Sequence, residues 1–271
     1  MSLLFIGGGN MAGAIVGGLL QSGRPASEFH VVEVAAEARE RVTAQFAVSV
    51  SATPTQAVVE AAACVVLAIK PQQMREVALS LKPYLAGQLV LSIAAGIRAS
   101  DLARWLGGYS RIVRAMPNTP ALVRAGCTGL YAMPGATKDD RAMAEAVLGA
   151  VGSTLWVTDE ARLDAVTAIS GSGPAYVFYF IEALQQAAQE LGFSKEEAAR
   201  LAGDTFAGAV KLAVASDVDV AELRRRVTSK GGTTERALGV LELEQVRFRI
   251  VAAVLAARDR SQELGAELGG D

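Results

Sequence analysis

Leu3-Leu4-Phe5-Ile6-Gly7-Gly8-Gly9-Asn10-Met11-Ala12-Gly13 decides the fold of this chain. Four apolar residues of strand length run straight into Gly-x-Gly-x-x-Ala, and a helical pattern follows over residues 11–21. Strand, glycine turn and helix in that order open a dinucleotide-binding βαβ unit. Gly7 permits the tight turn, Gly9 lets backbone approach a pyrophosphate, and Ala12 lets helix and strand pack closely. The helix start turns unpaired N–H groups and its positive end toward the same point. An ordinary βα turn is the competing reading. The position of the pattern between strand and helix makes Ile6, Gly7, Gly8, Gly9, Asn10 and Met11 candidate cofactor contacts.

Further βα units follow this one. His30-Val31-Val32-Glu33-Val34 reads as the second strand, with a helix after it and a short strand near residues 48–50. Cys64-Val65-Val66-Leu67-Ala68-Ile69 and Leu89-Val90-Leu91-Ser92-Ile93-Ala94 are continuous apolar runs, as expected of parallel strands buried on both faces. Arg111-Ile112-Val113-Arg114-Ala115 and Leu155-Trp156-Val157 continue the series. Repeated βα units predict an α/β fold with a doubly wound parallel sheet over residues 1–158. In such sheets ligands gather at the C-terminal strand ends. That rule singles out Glu33 for the ribose hydroxyls, with a solvated strand-end glutamate as the alternative. An acid there disfavours a 2′-phosphate and favours NADH, while Arg39 or Arg41 would attract one. The same rule picks Ala68, Ile69, Lys70 and Pro71, and the small residues Ala94, Ala95 and Gly96, which would admit a flat ring.

The character changes at Thr158-Asp159-Glu160, and residues 159–271 read as helical throughout. One long helix spans residues 163–191 and is interrupted at Gly171-Ser172-Gly173-Pro174. Ser194 and Glu197 match a capping box. Residues 264–271 are expected to fray. Ser229-Lys230-Gly231-Gly232-Thr233-Thr234 breaks the pattern with hydroxyls and two glycines before a further helix. A helix start behind such a turn is a site for a carboxylate or phosphate, built largely from backbone N–H groups. Thr233 and Thr234 have a second reading as helix caps.

Composition narrows the rest. The chain has 271 residues, 51% hydrophobic and 20% charged, with net charge -2. That is ample for a core and leaves little basis for disorder or nucleic-acid binding. Two cysteines without metal-like spacing fit a reducing cytoplasm, and a single histidine makes a metal site improbable. Residues 1–20 and 165–181 are uncharged. The first lacks a basic start and the second falls short of a span, so neither a signal peptide nor a membrane helix is expected.

Gly7-Gly8-Gly9-Asn10-Met11, Ala68-Ile69-Lys70-Pro71, Ala94-Ala95-Gly96, Arg114-Ala115-Met116-Pro117-Asn118-Thr119-Pro120, Ser170-Gly171-Ser172-Gly173-Pro174-Ala175-Tyr176 and Ser229-Lys230-Gly231-Gly232-Thr233-Thr234 occur in this order. Together they resemble the pyrroline-5-carboxylate reductases, over essentially the whole chain. The resemblance implies an N-terminal Rossmann-type domain and a C-terminal all-helical dimerisation domain, with active sites formed between subunits. Larger rings of dimers occur in that family. It implies reduction of 1-pyrroline-5-carboxylate to L-proline with NADPH or NADH, the last step of proline biosynthesis. By position, Ser229, Gly231, Gly232 and Thr233 would hold the substrate carboxylate and Thr234 the ring nitrogen. Asn118 and the Met116-Pro117 turn would line the nicotinamide side. Lys230 stands where many relatives have proline, Arg226 where some have asparagine, and Glu33 where many have a small polar residue.

The inventory suits imine chemistry. Reducing a carbonyl calls for a side-chain acid, and the single histidine, His30, lies at the start of a strand, away from the ligand edge. A cyclic imine enters already protonated and needs mainly orientation. A β-hydroxyacid dehydrogenase or another imine reductase would share the architecture, but the dehydrogenases need a lysine on the long helix, and residues 163–191 contain none. A non-catalytic nucleotide-sensing dimer is the reading from a different class.

Overall fold

The computed structural model describes residues 2–270. Two compact units share the chain: one holds the residues up to Ser172 together with those from Ala257 on, and the other is Gly173–Ala256.

The first unit is a sheet covered on both faces. Its strands are β1 (Leu3–Ile6), β2 (Phe29–Val32), β3 (Ser49–Ser51), β4 (Cys64–Leu67), β5 (Leu89–Ser92), β6 (Ile112–Met116), β7 (Gly126–Ala132) and β8 (Gly152–Trp156). They lie in the order β3-β2-β1-β4-β5-β6-β7-β8. All neighbours are parallel except β6 and β7. The helices of this part are α1 (Asn10–Gln21), α2 (Ala36–Phe46), α3 (Gln56–Ala61), α4 (Met74–Leu81), α5 (Ala99–Trp105), α6 (Lys138–Gly149) and α7 (Arg162–Val166).

Strand alternation builds two cores from one sheet. Leu3, Phe5, Val31 and Val66 pack with Ile15 of α1 and Val147 of α6 on one face. Leu4, Ile6, Val65 and Leu67 pack with Met74 of α4 and Leu102 of α5 on the other. Both faces exclude water, and for this reason the strands are continuously apolar rather than alternating.

The sheet also holds a strand that sequence reading does not find. β7 runs antiparallel to β6, placing Met116 opposite Gly129. Its two glycines, Gly126 and Gly129, dilute the apolar signal. A Cβ on Gly129 would stand 2.7 Å from Val166 Cγ1, so α7 packs there only against a bare backbone. The long-helix expectation resolves into α7, a π turn at Thr167–Gly171, and α8 (Gly173–Glu190). The interruption is thus a widened turn, a feature frequent at functional sites.

The second unit contains α8, α9 (Lys195–Val214), α10 (Val220–Arg226), α11 (Thr233–Leu243) and the first half of α12 (Val246–Leu268). The capping box is present: Ser194 Oγ accepts from the Glu197 N–H while Glu197 accepts from the Ser194 N–H. Asp219 caps α10 by accepting from the Glu222 N–H at 2.9 Å. Large apolar side chains stand exposed on these helices, among them Phe178, Tyr179, Val214, Leu243 and Phe248.

The chain end does not fray over residues 264–270. α12 continues to Leu268, and its last turns belong to the first unit. Leu268 packs against the second apolar layer. Arg104 donates to the Gly269 carbonyl at 2.6 Å, and Ser261 donates to Asp164 at 2.8 Å. Partial burial of Leu268 and these hydrogen bonds oppose the ordering entropy of the tail.

Candidate active site

The nucleotide end grows out of β1. Gly7 has φ 102°, and a Cβ on it would meet the Ala68 carbonyl oxygen at 2.5 Å. Backbone angle and space therefore both require glycine there. Gly9 is the N-cap of α1 with no side-chain cap, and nothing lies within 4 Å of where its Cβ would be. The first N–H groups of α1 are left facing open space, which is the arrangement that receives a pyrophosphate. A cavity of about 650 Å³ opens beside this loop, bounded by Gly7, Gly9, Glu33, Val34, Thr53 and Lys70. Ile6, Ala68 and Ile69 also line it. Loop, open helix start and cavity fit a dinucleotide.

Ala94 is buried in the core, and Ala95 is exposed beside it. Gly96 faces the tail: its Cβ would touch Leu268 Cδ1 at 3.0 Å. Pro71 opens a short 3-10 turn, and Lys70 before it is exposed. Asn10 is exposed, whereas Met11 packs partly against the core.

Asn118 is 9% exposed, and its polar atoms are engaged. Its Nδ2 donates to the Ser170 carbonyl and hydroxyl, both at 3.1 Å, and its Oδ1 accepts from the Cys127 N–H at 2.9 Å. Ser170 in turn donates to the Cys127 carbonyl at 3.1 Å. The amide thus ties the end of β6 to β7 and to the π turn. His30 is also spoken for, since its Nε2 lies 2.8 Å from Ser51 Oγ and burial holds its pKa below the usual value.

The hydroxyl turn sits in the second unit. Thr228 donates to the Arg224 carbonyl at 2.6 Å, closing α10. Gly231 has φ 73°, so glycine carries the reversal without strain. The Gly232 N–H donates to the Ser229 carbonyl at 3.1 Å, and the Gly231 N–H donates to Glu235 Oε2 at 2.7 Å. Gly232, not a threonine, is the N-cap of α11, and it offers no side-chain cap. Thr233 and Thr234 therefore occupy the first helical positions, and neither hydroxyl is spent on capping. The N–H groups of Thr233, Thr234 and Glu235 have no intrahelical partner at this position. Glu235 escaped the sequence reading, although an acidic residue three places after the N-cap is a known reach-back position. Lys230 is exposed at the head of the turn. Arg226 points along α10 to Glu222, at 2.9 Å.

A glycine loop on a mostly parallel sheet, followed along the chain by a helical unit, is the architecture of a nicotinamide-dinucleotide oxidoreductase. Residues 2–96 match the family described as NADP oxidoreductase coenzyme F420-dependent, and residues 160–264 match pyrroline-5-carboxylate reductase dimerisation. The chain is 45% identical over 268 residues to the pyrroline-5-carboxylate reductase of Pseudomonas aeruginosa, covering 98% of each. A solved pyrroline-5-carboxylate reductase from Coxiella burnetii is 42% identical, with a TM-score of 0.91 over 97% of this chain and 98% of that one. The Plasmodium falciparum pyrroline carboxylate reductase, solved with NADP bound, is 28% identical, with a TM-score of 0.87 over 98% of both chains. The chain belongs to the pyrroline-5-carboxylate reductase family.

Proposed function

We propose that this enzyme reduces the C=N bond of 1-pyrroline-5-carboxylate to L-proline, with NADPH or NADH as the reductant. The observation that carries the reading is full-length similarity to enzymes of that name, combined with a turn whose hydroxyls and helix-start N–H groups stand free of capping duty. We assign nucleotide binding to residues 1–158 and dimerisation and substrate binding to residues 159–271. The family match beginning at residue 160 supports this division.

The bound coenzyme supplies a hydride. Everything else falls to the chain. The N–H groups at Thr233 and Thr234, with Ser229, Gly231 and Gly232 shaping the turn, hold the substrate carboxylate at the positive end of α11. The Thr234 hydroxyl bonds the ring nitrogen and sets the imine carbon, C2 of the pyrroline ring, for transfer. The imine nitrogen arrives carrying its proton, so hydride addition at the C=N carbon, C2, leaves a neutral amine and no side chain need give up a proton. Orientation is then the main contribution, and a site without histidine or lysine acid is sufficient. On the nucleotide side, residues 6–11, 68–71 and 94–96 receive the coenzyme. The Met116-Pro117 turn, held by Asn118, forms the nicotinamide wall.

The exposed apolar residues of the second unit fit a homodimer interface, and we extend this to rings of dimers. No helix among the described residues is long and apolar enough to cross a membrane. A cytoplasmic location fits two free cysteines, one of them fully buried.

The test is oxidation of NADPH and of NADH on adding pyrroline-5-carboxylate to the purified protein, with proline identified as product. Coenzyme binding without turnover would instead leave a nucleotide-sensing dimer.

A further inference from the structure

The wall of the cavity bears on which of the two coenzymes is selected, given only the reading above that the cavity takes a nicotinamide dinucleotide. Two features of a dinucleotide pocket receive a 2′-phosphate: free N–H groups after the second strand, and a cation beside them. Neither is at hand. Glu33 reaches back from the end of β2, and its Oε2 accepts from the Gly8 N–H of the glycine loop at 2.9 Å. Its Oε1 accepts from the Ala35 N–H at 3.0 Å. One donor at the head of α2, the Ala35 N–H, is thus engaged by a carboxylate. Held at both oxygens, that carboxylate is fixed at the cavity wall.

The arginines after the second strand do not line this cavity. Arg39 Nη1 donates to the Glu33 and Val34 carbonyls, both at 2.8 Å. Its side chain lines a separate hollow with Glu40 and Thr43. Arg41 lines another hollow, with Gly13, Gly17 and Phe46. Val34, 75% exposed, presents an apolar surface to the cavity where an NADP site would place a donor. The cavity's described charged residues are Glu33, Glu76 and Lys70, two acids against one base.

We infer that this enzyme selects NADH over NADPH, with Glu33 as the residue that decides. Its free lone pairs accept from the ribose hydroxyls, and its charge repels a 2′-phosphate at hydrogen-bond range. A dianionic phosphate against a fixed carboxylate, with the nearest guanidinium held on backbone carbonyls, weakens binding at least tenfold, about 1.4 kcal/mol.

The test measures the dissociation constants of NADH and NADPH on the full-length protein without substrate, by fluorescence titration. NADH is expected to bind at least tenfold tighter. Equal affinities, or tighter NADPH, overturn the inference while leaving the proposed reaction standing. Binding of neither removes both readings. Glu33→Gln keeps the side-chain shape and removes the charge, and is expected to shrink the NADH/NADPH ratio at least fivefold. An unchanged ratio in the folded variant overturns the role of Glu33. Should Glu33→Gln fail to fold, Val34→Arg leaves both Glu33 hydrogen bonds in place and adds a cation at an exposed position. It is expected to tighten NADPH selectively, and loss of that gain above about 0.5 M salt marks it as electrostatic. No gain for NADPH would overturn the placement of the 2′-position at this wall.

Discussion

Asn118 holds Ser170 from 52 positions away in sequence, its Nδ2 standing 3.1 Å from both the carbonyl and the hydroxyl of that residue. With Cys127 it closes a small hydrogen-bonded ring around the end of β6 and the π turn. The ring lies next to Ser172, where the first unit gives way to the second. The Met116-Pro117 turn, proposed as the nicotinamide wall, is therefore braced from behind by this amide.

Asn118→Ala should accordingly act on stability more than on coenzyme affinity. Three hydrogen bonds vanish and buried partners are left unpaired, for a loss of about 2–3 kcal/mol. Denaturant unfolding at fixed protein concentration measures it. Intact stability with coenzyme affinity lowered tenfold or more would show that the amide touches the nicotinamide instead.

Thr234→Ala should lower kcat/KM for pyrroline-5-carboxylate by about 1–3 kcal/mol, the worth of one hydrogen bond made to a charged group. Because Gly232 is the N-cap, the helix loses no capping bond, and the melting temperature should stay close to wild type. Thr234→Ser should restore most of the activity. Steady-state kinetics on the three proteins decides.

Glu235 places a carboxylate on the Gly231 N–H, in the turn assigned to the substrate carboxylate. In the proposed site two anions compete for that turn. Glu235→Ala should lower KM for substrate about two- to fivefold with little change in kcat, the scale of a single exposed charge contact. A raised KM with a fallen kcat would mean that the glutamate orders the turn rather than competing for it.

Asp140 gives the fold an acid-sensitive point. Burial alone would raise its pKa, but Arg111, at 2.7 and 3.0 Å, and the Thr137 N–H, at 2.8 Å, outweigh burial and hold the carboxyl below its usual value. A depressed folded value means that the stabilisation is present above the unfolded pKa and is lost as pH falls through the folded one. Asp140→Asn should cost about 2–3 kcal/mol at neutral pH, since it weakens both the ion pair and the capping of α6. The gap to wild type should close as pH falls from about 5 toward 2. Urea midpoints across that range measure it, and a constant gap would assign the loss to packing.

Much of the architecture was legible in the chain. The apolar runs of β1, β4 and β5 carry no alternation because both faces are covered, so burial and strand identity appear in the same residues. The glycine loop was legible because backbone geometry and close approach to Ala68 admit almost nothing else. β7 was hidden for a related reason, since its glycines serve the packing of α7 and weaken the strand signal. The tail of α12 was misjudged because its composition is polar, while its partners, Arg104 and the second apolar layer, are more than 150 residues away in sequence.

The sequence by itself determined the class of fold and the two glycine turns that each open a helix, because both follow from local residue chemistry. Tertiary structure decided what each polar group is free to do. It spent Asn118 on Ser170, His30 on Ser51 and the Gly231 N–H on Glu235. It left the threonines of the turn uncapped and folded Glu33 back onto Gly8. A hydrogen-bonding group satisfies itself with whatever lies within about 3 Å, and which residues lie that close is settled only when distant segments pack together.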